Sequence, residues 1–142
     1  MDTSTDTAAH RHTIEVMAEH LDNLGHVNNA RYLEFFEAGR TRWYRAGGLL
    51  DLCGQAHPDA CDTVVVNVNC DFLRECHQHE HLVVETRPGR LGGKSFAVEQ
   101  TLLNGDGEVA ARATVTSVLM DLQSRRAIAL PRARGQLFPG AG

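Results

Sequence analysis

The chain has 142 residues, 42% of them hydrophobic, which is enough for a single domain with one core. Its formal net charge of −4 at pH 7 argues against general nucleic-acid binding, because proteins that follow a phosphate backbone usually carry a clustered basic excess. No apolar run is long enough to span a membrane, and the first residues do not resemble a secretory signal, so we expect a cytoplasmic protein with no membrane span.

The first ten residues are rich in Thr, Asp and Ala and show no periodicity. We therefore expect residues 1–10 to be a flexible N-terminus and residues 11–142 to form a single domain. Weak alternation over His12–Met17, followed by a turn-like Asp22-Asn23 and then Gly25, predicts a first strand.

A helical spacing of apolar residues runs from about Asn28 to Ala46. Leu33, Phe36 and Trp43 recur at helical intervals and predict the buried face of one long helix. Asn28 is a suitable N-cap, and Gly47-Gly48 can take the left-handed conformation that ends helices. Three further aromatic residues widen the apolar face, so we expect the helix to be enclosed on several sides: Tyr32, Phe35 and Tyr44.

The rest of the chain is strand-like after Leu49–Asp62, which we interpret as a linker or a short helix. Alternation over Val64–Phe72 predicts a half-buried strand. Further strands are predicted to begin at Leu82, at Ser95 and, after the hairpin signal Asn104-Gly105-Asp106-Gly107, at Val109. One long helix and a single antiparallel sheet make the expected fold class α+β.

Cysteine and histidine residues raise the question of disulfides and metal. In a reducing compartment the four cysteines are expected to be free thiols: Cys53, Cys61, Cys70 and Cys76. On an extended strand His77, His79 and His81 would share one face and suggest zinc. A polar turn between two strands explains this segment better, so no metal is predicted.

Asp22 lies just before the predicted helix, and Gly25 allows the chain to turn so that the carboxylate reaches the first helical turn. The first N–H groups of a helix lack partners within it and can stabilise the oxyanion of an acyl-transfer reaction. A neighbouring carboxylate can attack or activate water. The alternative is that Asp22, Asn23 and Asn28 only form a turn and cap the helix, and residue types alone leave both interpretations open.

The run His20–Arg40 resembles the signature of hot-dog-fold thioesterases, most closely the 4-hydroxybenzoyl-CoA thioesterase-like branch and its long-chain acyl-CoA thioesterases. Within it, Asp22 to Tyr32 is similar to the run Asp-x-x-x-His-Val-Asn-Asn-Ala-Arg-Tyr of that group. The resemblance extends more loosely over about residues 10–132. It implies an antiparallel sheet wrapped around one long central helix, and hydrolysis of acyl-CoA in lipid metabolism with no cofactor.

The resemblance also implies roles for individual residues. Asp22 takes the position of the nucleophile or general base, and the N–H near Asn29 that of the group polarising the thioester carbonyl. The family's helix arginine falls on Arg40, where an ion pair with Glu37 or a polar contact in the core is equally compatible.

Plant acyl-carrier-protein thioesterases have a related run, and their downstream Arg-Glu-Cys element resembles Arg74-Glu75-Cys76. This likeness implies a catalytic Glu75, with His26 bonding to Asp22 or to substrate. A surface role for Glu75 and a turn-closing role for His26 remain open. Leu24 replaces the asparagine of the plant pattern, so the resemblance does not extend to the full plant-type network. Cys76 is disfavoured as a nucleophile because no base able to form its thiolate is evident.

A coenzyme A thioester carries several phosphate charges, so its enzyme needs local cations. Arg90 and Lys94 flank the Gly92-Gly93 turn, and Arg125-Arg126 falls in a predicted turn. The full set of predicted substrate-binding residues is Asn28, Tyr32, Arg90, Lys94, Ser95, Arg125 and Arg126. Several apolar residues can line an acyl tunnel or serve as plain core: Phe35, Phe36, Trp43, Leu49 and Leu50.

Members of this group pair as homodimers, often doubled to homotetramers, with the active site shared between two chains; we expect the same here. One alternative function is hydrolysis of an acyl group from a carrier protein. Another is a non-catalytic acyl-CoA-binding protein of the same fold. A hot-dog hydratase is disfavoured because its Asp and His stand one residue further apart than Asp22 and His26.

Overall fold

A computed structural model describes residues 9–47 and 61–129 of the chain. They form one long helix, α1 (Asn29–Gly47), and six strands, with a single 3₁₀ turn at Ala18–His20 before the helix. The strands are β1 (His10–Glu15), β2 (Cys61–Phe72), β3 (His81–Leu91), β4 (Ser95–Leu103), β5 (Val109–Asp121) and β6 (Arg126–Ile128). Residues 49–60 of the predicted linker lie outside the described residues, and its last two residues, Cys61 and Asp62, begin β2 instead.

All six strands belong to one antiparallel sheet in the order β1-β3-β4-β5-β2, with β6 paired to the end of β5. The helix packs against β1, β3 and β4. The expected α+β hot-dog architecture is therefore confirmed. β1 begins two residues earlier than predicted and ends at Glu15. Val16 and Met17, which were predicted to belong to it, lie after the strand. β6 was not predicted, because three residues are too few to show a period.

The predicted helix is confirmed to within one residue at each end. Asn28 is its N-cap, since Oδ1 of Asn28 accepts a hydrogen bond from the Ala30 N–H at 2.8 Å. Leu33 was wrongly placed on the buried face and is 40% exposed. Large aromatic side chains form that face, and Leu33 points beside it: Tyr32, Phe35, Phe36, Trp43 and Tyr44.

The middle of α1 approaches the sheet closely at a glycine. A Cβ atom added at Gly39 would lie 2.5 Å from Cγ1 of Val84, a fully buried residue of β3. The next residue along the helix, Arg40, is buried, and its side chain donates to Oε1 of Gln100 at 3.1 Å. Nε2 of Gln100 donates to the Phe36 carbonyl at 2.9 Å and to Oγ1 of Thr86 at 3.0 Å. Arg40 therefore makes the polar contact in the core that the sequence left as one option.

The prediction that one face of β2 is buried is wrong for the single chain. The register with β5 shifts between Val65 and Asn67, so that Val66 bulges out of the alternation. β2 is also an edge strand, and no described strand pairs with its outer edge. Val65, Val66 and Val68 are consequently 42%, 58% and 42% exposed.

Replacing Gly39 by Ala tests the close approach of helix and sheet. Within a helix this change normally stabilises by about 1 kcal/mol. Here the new methyl group would overlap the stiff Val84 side chain, and overpacking costs about 1–3 kcal/mol. We expect a net loss of about 1 kcal/mol in the free energy of unfolding, measured by urea denaturation. The control is Gly93→Ala, where nothing lies within 4 Å of the added Cβ; a gain in stability for Gly39→Ala would contradict the expectation.

Candidate active site

The segment ahead of α1 forms a tight turn that closes on itself. The Asp22 N–H donates to the His26 carbonyl at 2.8 Å, and the Gly25 N–H donates to the Asp22 carbonyl at 3.1 Å. Gly25 has a φ of 82°, a left-handed conformation that favours glycine. Oδ1 of Asp22 accepts from the N–H groups of Leu24 at 2.9 Å and His26 at 3.3 Å. Oδ2 has no hydrogen-bond partner within the described part of the chain, so one carboxylate oxygen shapes the turn and the other is free to bind a ligand.

The first turn of α1 supplies a donor beside this carboxylate. Asn28 satisfies the Ala30 N–H through its side chain and the Arg31 N–H through its carbonyl at 2.9 Å. Among residues 9–47 and 61–129, none accepts a hydrogen bond from the Asn29 N–H. Because the helix dipole adds partial positive charge at this end, the Asn29 N–H can polarise a carbonyl oxygen.

The segment that follows β2 forms the opposite wall. The Tyr32 hydroxyl donates to the Arg74 carbonyl at 2.8 Å, and the Val27 N–H donates to the Cys76 carbonyl at 3.0 Å. These two bonds hold Glu75 between them. Nδ1 of His26 lies 2.5 Å from Oε2 of Glu75, so the His26 imidazole pairs with Glu75. The hydrogen bonds between Asp22 and His26 involve only the main chain of the histidine.

These elements enclose an open cleft of about 440 Å³. Four residues predicted to be catalytic line it together: Asp22, His26, Asn29 and Glu75. Tyr32 also lines it, although this side chain is buried and its hydroxyl is engaged with Arg74. The remaining lining residues are Val27, Phe72, Leu73 and Arg74. The catalytic and binding roles of these residues remain predictions.

Arg74 is a cation of the cleft that was not among the expected phosphate-binding residues. Nε of Arg74 lies 3.6 Å from Oε1 of Glu108, and both side chains are about half exposed. The sequence signal for Arg74 was its place in the Arg74-Glu75-Cys76 element. A second, larger cleft of about 640 Å³ shares Arg74 and Glu75 but is lined by neither Asp22 nor the start of α1.

The cations that were predicted to bind phosphate lie far from this cleft within one chain. Ser95 pairs with Val118 and Arg126 with Asp121, whereas the cleft adjoins β2 near Phe72, which pairs with Ala111. At about 3.3 Å per residue, the roughly seven positions from Ala111 to Val118 span about 23 Å. The predicted binding groups Arg90, Lys94, Ser95, Arg125 and Arg126 therefore lie at the opposite end of the sheet from Asp22.

The histidine-rich segment is the polar turn that the sequence favoured. Gln78-His79 forms the turn between β2 and β3, and His79 has a φ of 74°. His77 and His79 are not on a strand, and only His81 begins β3. The shared face of three histidines that would have suggested zinc is absent from this segment.

Cys76 is unsuited to nucleophilic catalysis. Its side chain is fully buried, and burial raises the pKa of the thiol. Cys70 and Cys76 are free thiols, as expected. Cys53 and the side chain of Cys61 lie outside the described residues.

The chain is similar to known thioesterases. Residues 16–137 match the family described as the thioesterase-like superfamily. The long-chain acyl-CoA thioesterase FadM of Escherichia coli (strain K12) is 37% identical over 118 residues, which are 82% of this chain and 87% of that protein.

Two crystal structures share the fold. A probable thioesterase from Bartonella henselae has a TM-score of 0.77 at 30% identity, covering 87% of this chain and 99% of that one. A thioesterase from Thermus thermophilus in complex with coenzyme A and Zn has a TM-score of 0.73 at 30% identity, covering 89% of this chain and 95% of that one. Within residues 9–47 and 61–129, no helix combines the length and hydropathy needed to cross a bilayer.

Alkylation of the native protein tests the assignment of Cys76 as a structural residue. The thiolate is the reactive form, and burial raises the pKa of both Cys70 and Cys76, so both should react more slowly than a free thiol at the same pH. Cys76, which is fully buried, should be labelled by iodoacetamide only after unfolding in urea, as peptide mass spectrometry can show. Native labelling of Cys76 as fast as that of the partly exposed Cys70 would contradict this assignment.

Proposed function

Because the chain belongs to the thioesterase-like superfamily, we propose that it is an acyl-CoA thioesterase, which hydrolyses the thioester to a free acid and coenzyme A. The observation that carries the proposal is that Asp22 and Asn29, both exposed, line the same cleft. A relative that is 37% identical is an acyl-CoA thioesterase, which supports the choice of substrate class.

In the proposed mechanism, Oδ2 of Asp22 removes a proton from water as the water oxygen bonds to the thioester carbon. Direct attack by the same oxygen, followed by hydrolysis of the anhydride, would use the same geometry. The Asn29 N–H stabilises the oxyanion. The carbon–sulfur bond then breaks, coenzyme A leaves as a thiolate, and the proton held by Asp22 can return to sulfur. Oδ1 is already fixed by two main-chain N–H groups, so the carboxylate keeps its orientation throughout.

Glu75 and His26 have supporting roles in this proposal. Glu75 lines the cleft and is more than half exposed, so its carboxylate can orient the attacking water. His26 holds Glu75 through the 2.5 Å contact at Nδ1. This division assigns proton removal to Asp22 and the placement of water to the His26–Glu75 pair.

We further propose that two chains pair through the outer edges of their β2 strands. The edge is twelve residues long and carries exposed valines at its centre, an arrangement that isolated proteins usually avoid. Antiparallel pairing about Val66-Asn67 would bury these side chains. Two such dimers would make the expected homotetramer.

This pairing supports a role for the distant cations. Antiparallel β2 strands place the Cys61 end of one copy beside the Phe72 end of the other. Cys61 pairs with Asp121, close to the Arg125-Arg126 turn. The Arg125-Arg126 turn of a second copy would therefore approach the Asp22 cleft, with Lys94 on the neighbouring hairpin. Phosphates of coenzyme A would then bind across the dimer boundary.

The acyl group is proposed to lie in an apolar groove of about 240 Å³ between α1 and β2. Leu33 and Phe36 line it from the helix, and Val65, Val68 and Val115 from the sheet. This position explains why Leu33 faces away from the core. The groove opens at the proposed dimer boundary.

The same proposal treats residues 11–142 as one domain and places the enzyme in the cytoplasm, where Cys70 and Cys76 would stay reduced.

Asp22→Asn tests the catalytic carboxylate separately from the turn. The amide oxygen can still accept from Leu24 and His26, but the side chain can no longer take a proton or attack. We expect kcat to fall at least about 100-fold with little change in the midpoint of thermal unfolding. Asp22→Ala should lose the same activity and also about 1 kcal/mol of stability. Full turnover by Asp22→Asn would refute the mechanism.

A panel of thioesters tests the substrate class. Acyl-CoA and acyl-carrier-protein substrates of equal chain length are compared by the rate of free-thiol release. We expect the larger kcat/KM for acyl-CoA, because the proposed cations match its phosphates. A preference for the carrier protein would favour the alternative enzyme. Binding of acyl-CoA without turnover of any thioester would favour the non-catalytic alternative.

Val66→Lys tests the proposed pairing of chains. A charge at this exposed, bulged position should cost little in the single chain but should oppose burial at a boundary between copies. We expect a shift to monomers in sedimentation velocity and a higher KM for acyl-CoA. Met17→Lys is the matched control, since Met17 is also about half exposed but lies away from β2. An unchanged oligomeric state in Val66→Lys would rule out this boundary.

A further inference from the structure

A cluster of potential metal ligands lies at the wall that separates the two clefts. His26, Glu75 and His77 each offer one donor atom, and the three atoms lie within 4.8 Å of one another. The His26 and His77 rings meet edge to face, with centroids 5.4 Å apart. His26 and Glu75 belong to the Asp22 cleft, whereas His77 belongs to the adjoining cleft. No role for His77 follows from thioester hydrolysis.

We propose that His26, Glu75 and His77 bind a Zn²⁺ ion. Two imidazoles and one carboxylate are a usual ligand set for Zn²⁺ sites that keep a further position for water or another ligand. Tetrahedral ligands at about 2.0–2.1 Å from the metal lie about 3.3 Å apart. Donors at the 4.8 Å limit must therefore close by about 1.5 Å, and Nδ1 of His26 and Oε2 of Glu75, now 2.5 Å apart, must separate by about 0.8 Å if both bind the ion. The side chains are 34% to 58% exposed and can make this movement by rotation.

The main chain holds all three residues in place. The Asp22 turn fixes His26 through hydrogen bonds at both its N–H and its carbonyl. Glu75 lies between the bonded carbonyls of Arg74 and Cys76. The His77 N–H donates to Oε2 of Glu80 at 2.6 Å. The ligands therefore come from three separately anchored positions, and only side-chain rotation is needed to bind the ion.

Glu80 supplies the carboxylate contact that metal-binding histidines commonly make through their second ring nitrogen. Nδ1 of His77 lies 3.3 Å from Oε2 of Glu80, and Oε1 of Glu80 is itself fixed by the Gly105 N–H at 2.8 Å. A metal bound through Nε2 of His77 would keep this contact, in the carboxylate–histidine–metal arrangement found at many zinc sites. Asp106 and Glu108 add negative charge to the same cleft, against the single cation Arg74 among its lining residues. The local potential thus favours a cation.

Occupation of this site would have a consequence for activity, which rests on the proposed function. Zn²⁺ bound to Glu75 and His26 would prevent this pair from orienting the attacking water. The ion would therefore inhibit hydrolysis reversibly, and removal by a chelator would restore it. Asp22 is not a ligand in this arrangement.

Calorimetric titration of the metal-free protein with ZnCl₂ tests the site without any measure of activity. We expect His77→Ala and Glu75→Gln each to weaken Zn²⁺ binding at least about tenfold. His81→Ala is the matched control, because His81 is an exposed histidine of the same cleft outside the cluster, and should bind as the wild type does. Mg²⁺ should produce no comparable heat, since it prefers oxygen ligands.

Two results would overturn the site. One is Zn²⁺ affinity unchanged by His77→Ala, and the other is an equal loss in His81→Ala, which would place the metal on the histidine-rich turn instead. Thermal unfolding of each variant confirms that the fold is kept.

Inhibition provides a second readout. His77→Ala should keep the thioesterase activity of the wild type while its half-inhibitory Zn²⁺ concentration rises at least about tenfold. If no thioester is hydrolysed, the proposed function fails, while the calorimetric result still decides the metal site. If the wild type is active, binds Zn²⁺ at these ligands and is not inhibited, the inhibitory role is wrong.

Discussion

The candidate site depends on a pair of hydrogen bonds that connect the start of α1 to the segment after β2. The Tyr32 hydroxyl, buried under the first turn of α1, donates to the carbonyl of Arg74, 42 positions away. The Val27 N–H makes a second bond to the Cys76 carbonyl. A buried hydroxyl without a hydrogen-bond partner is costly, so the Tyr32 hydroxyl strongly favours the packing that brings the Arg74 carbonyl to it. This packing brings Glu75 against His26 and closes the cleft on the side opposite Asp22.

The half of the site that is local in sequence could be predicted. Asp22, Gly25, Asn28 and Asn29 lie close together along the chain, where turn chemistry and helix capping follow from residue types. Those rules left catalysis and capping as rival interpretations of Asp22. In the structure the two are compatible, because Oδ1 serves the turn while Oδ2 has no partner among the described residues.

The other half could not be derived from local rules. Glu75 entered only through a family resemblance, and its pairing with His26 depends on how β2 and α1 pack. The bulge at Val66 and the exposure of Leu33 were missed for a related reason: an apolar alternation predicts a buried face without saying what buries it. Arg125 and Arg126 show the converse. Their chemistry suits a phosphate, but only a second chain could bring them to the cleft.

The contact between Gly39 and Val84 bears on selectivity for the acyl group. The gap between helix and sheet at that point does not admit even one methyl group, so a hydrocarbon chain cannot pass between Gly39 and Val84. In the proposed function, an acyl group that enters from Asp22 extends along the outer side of α1, where Leu33 lines the apolar groove. The length of chain that this protein accepts would then be set less by the size of its own core than by how closely a neighbouring copy covers the groove beside Leu33.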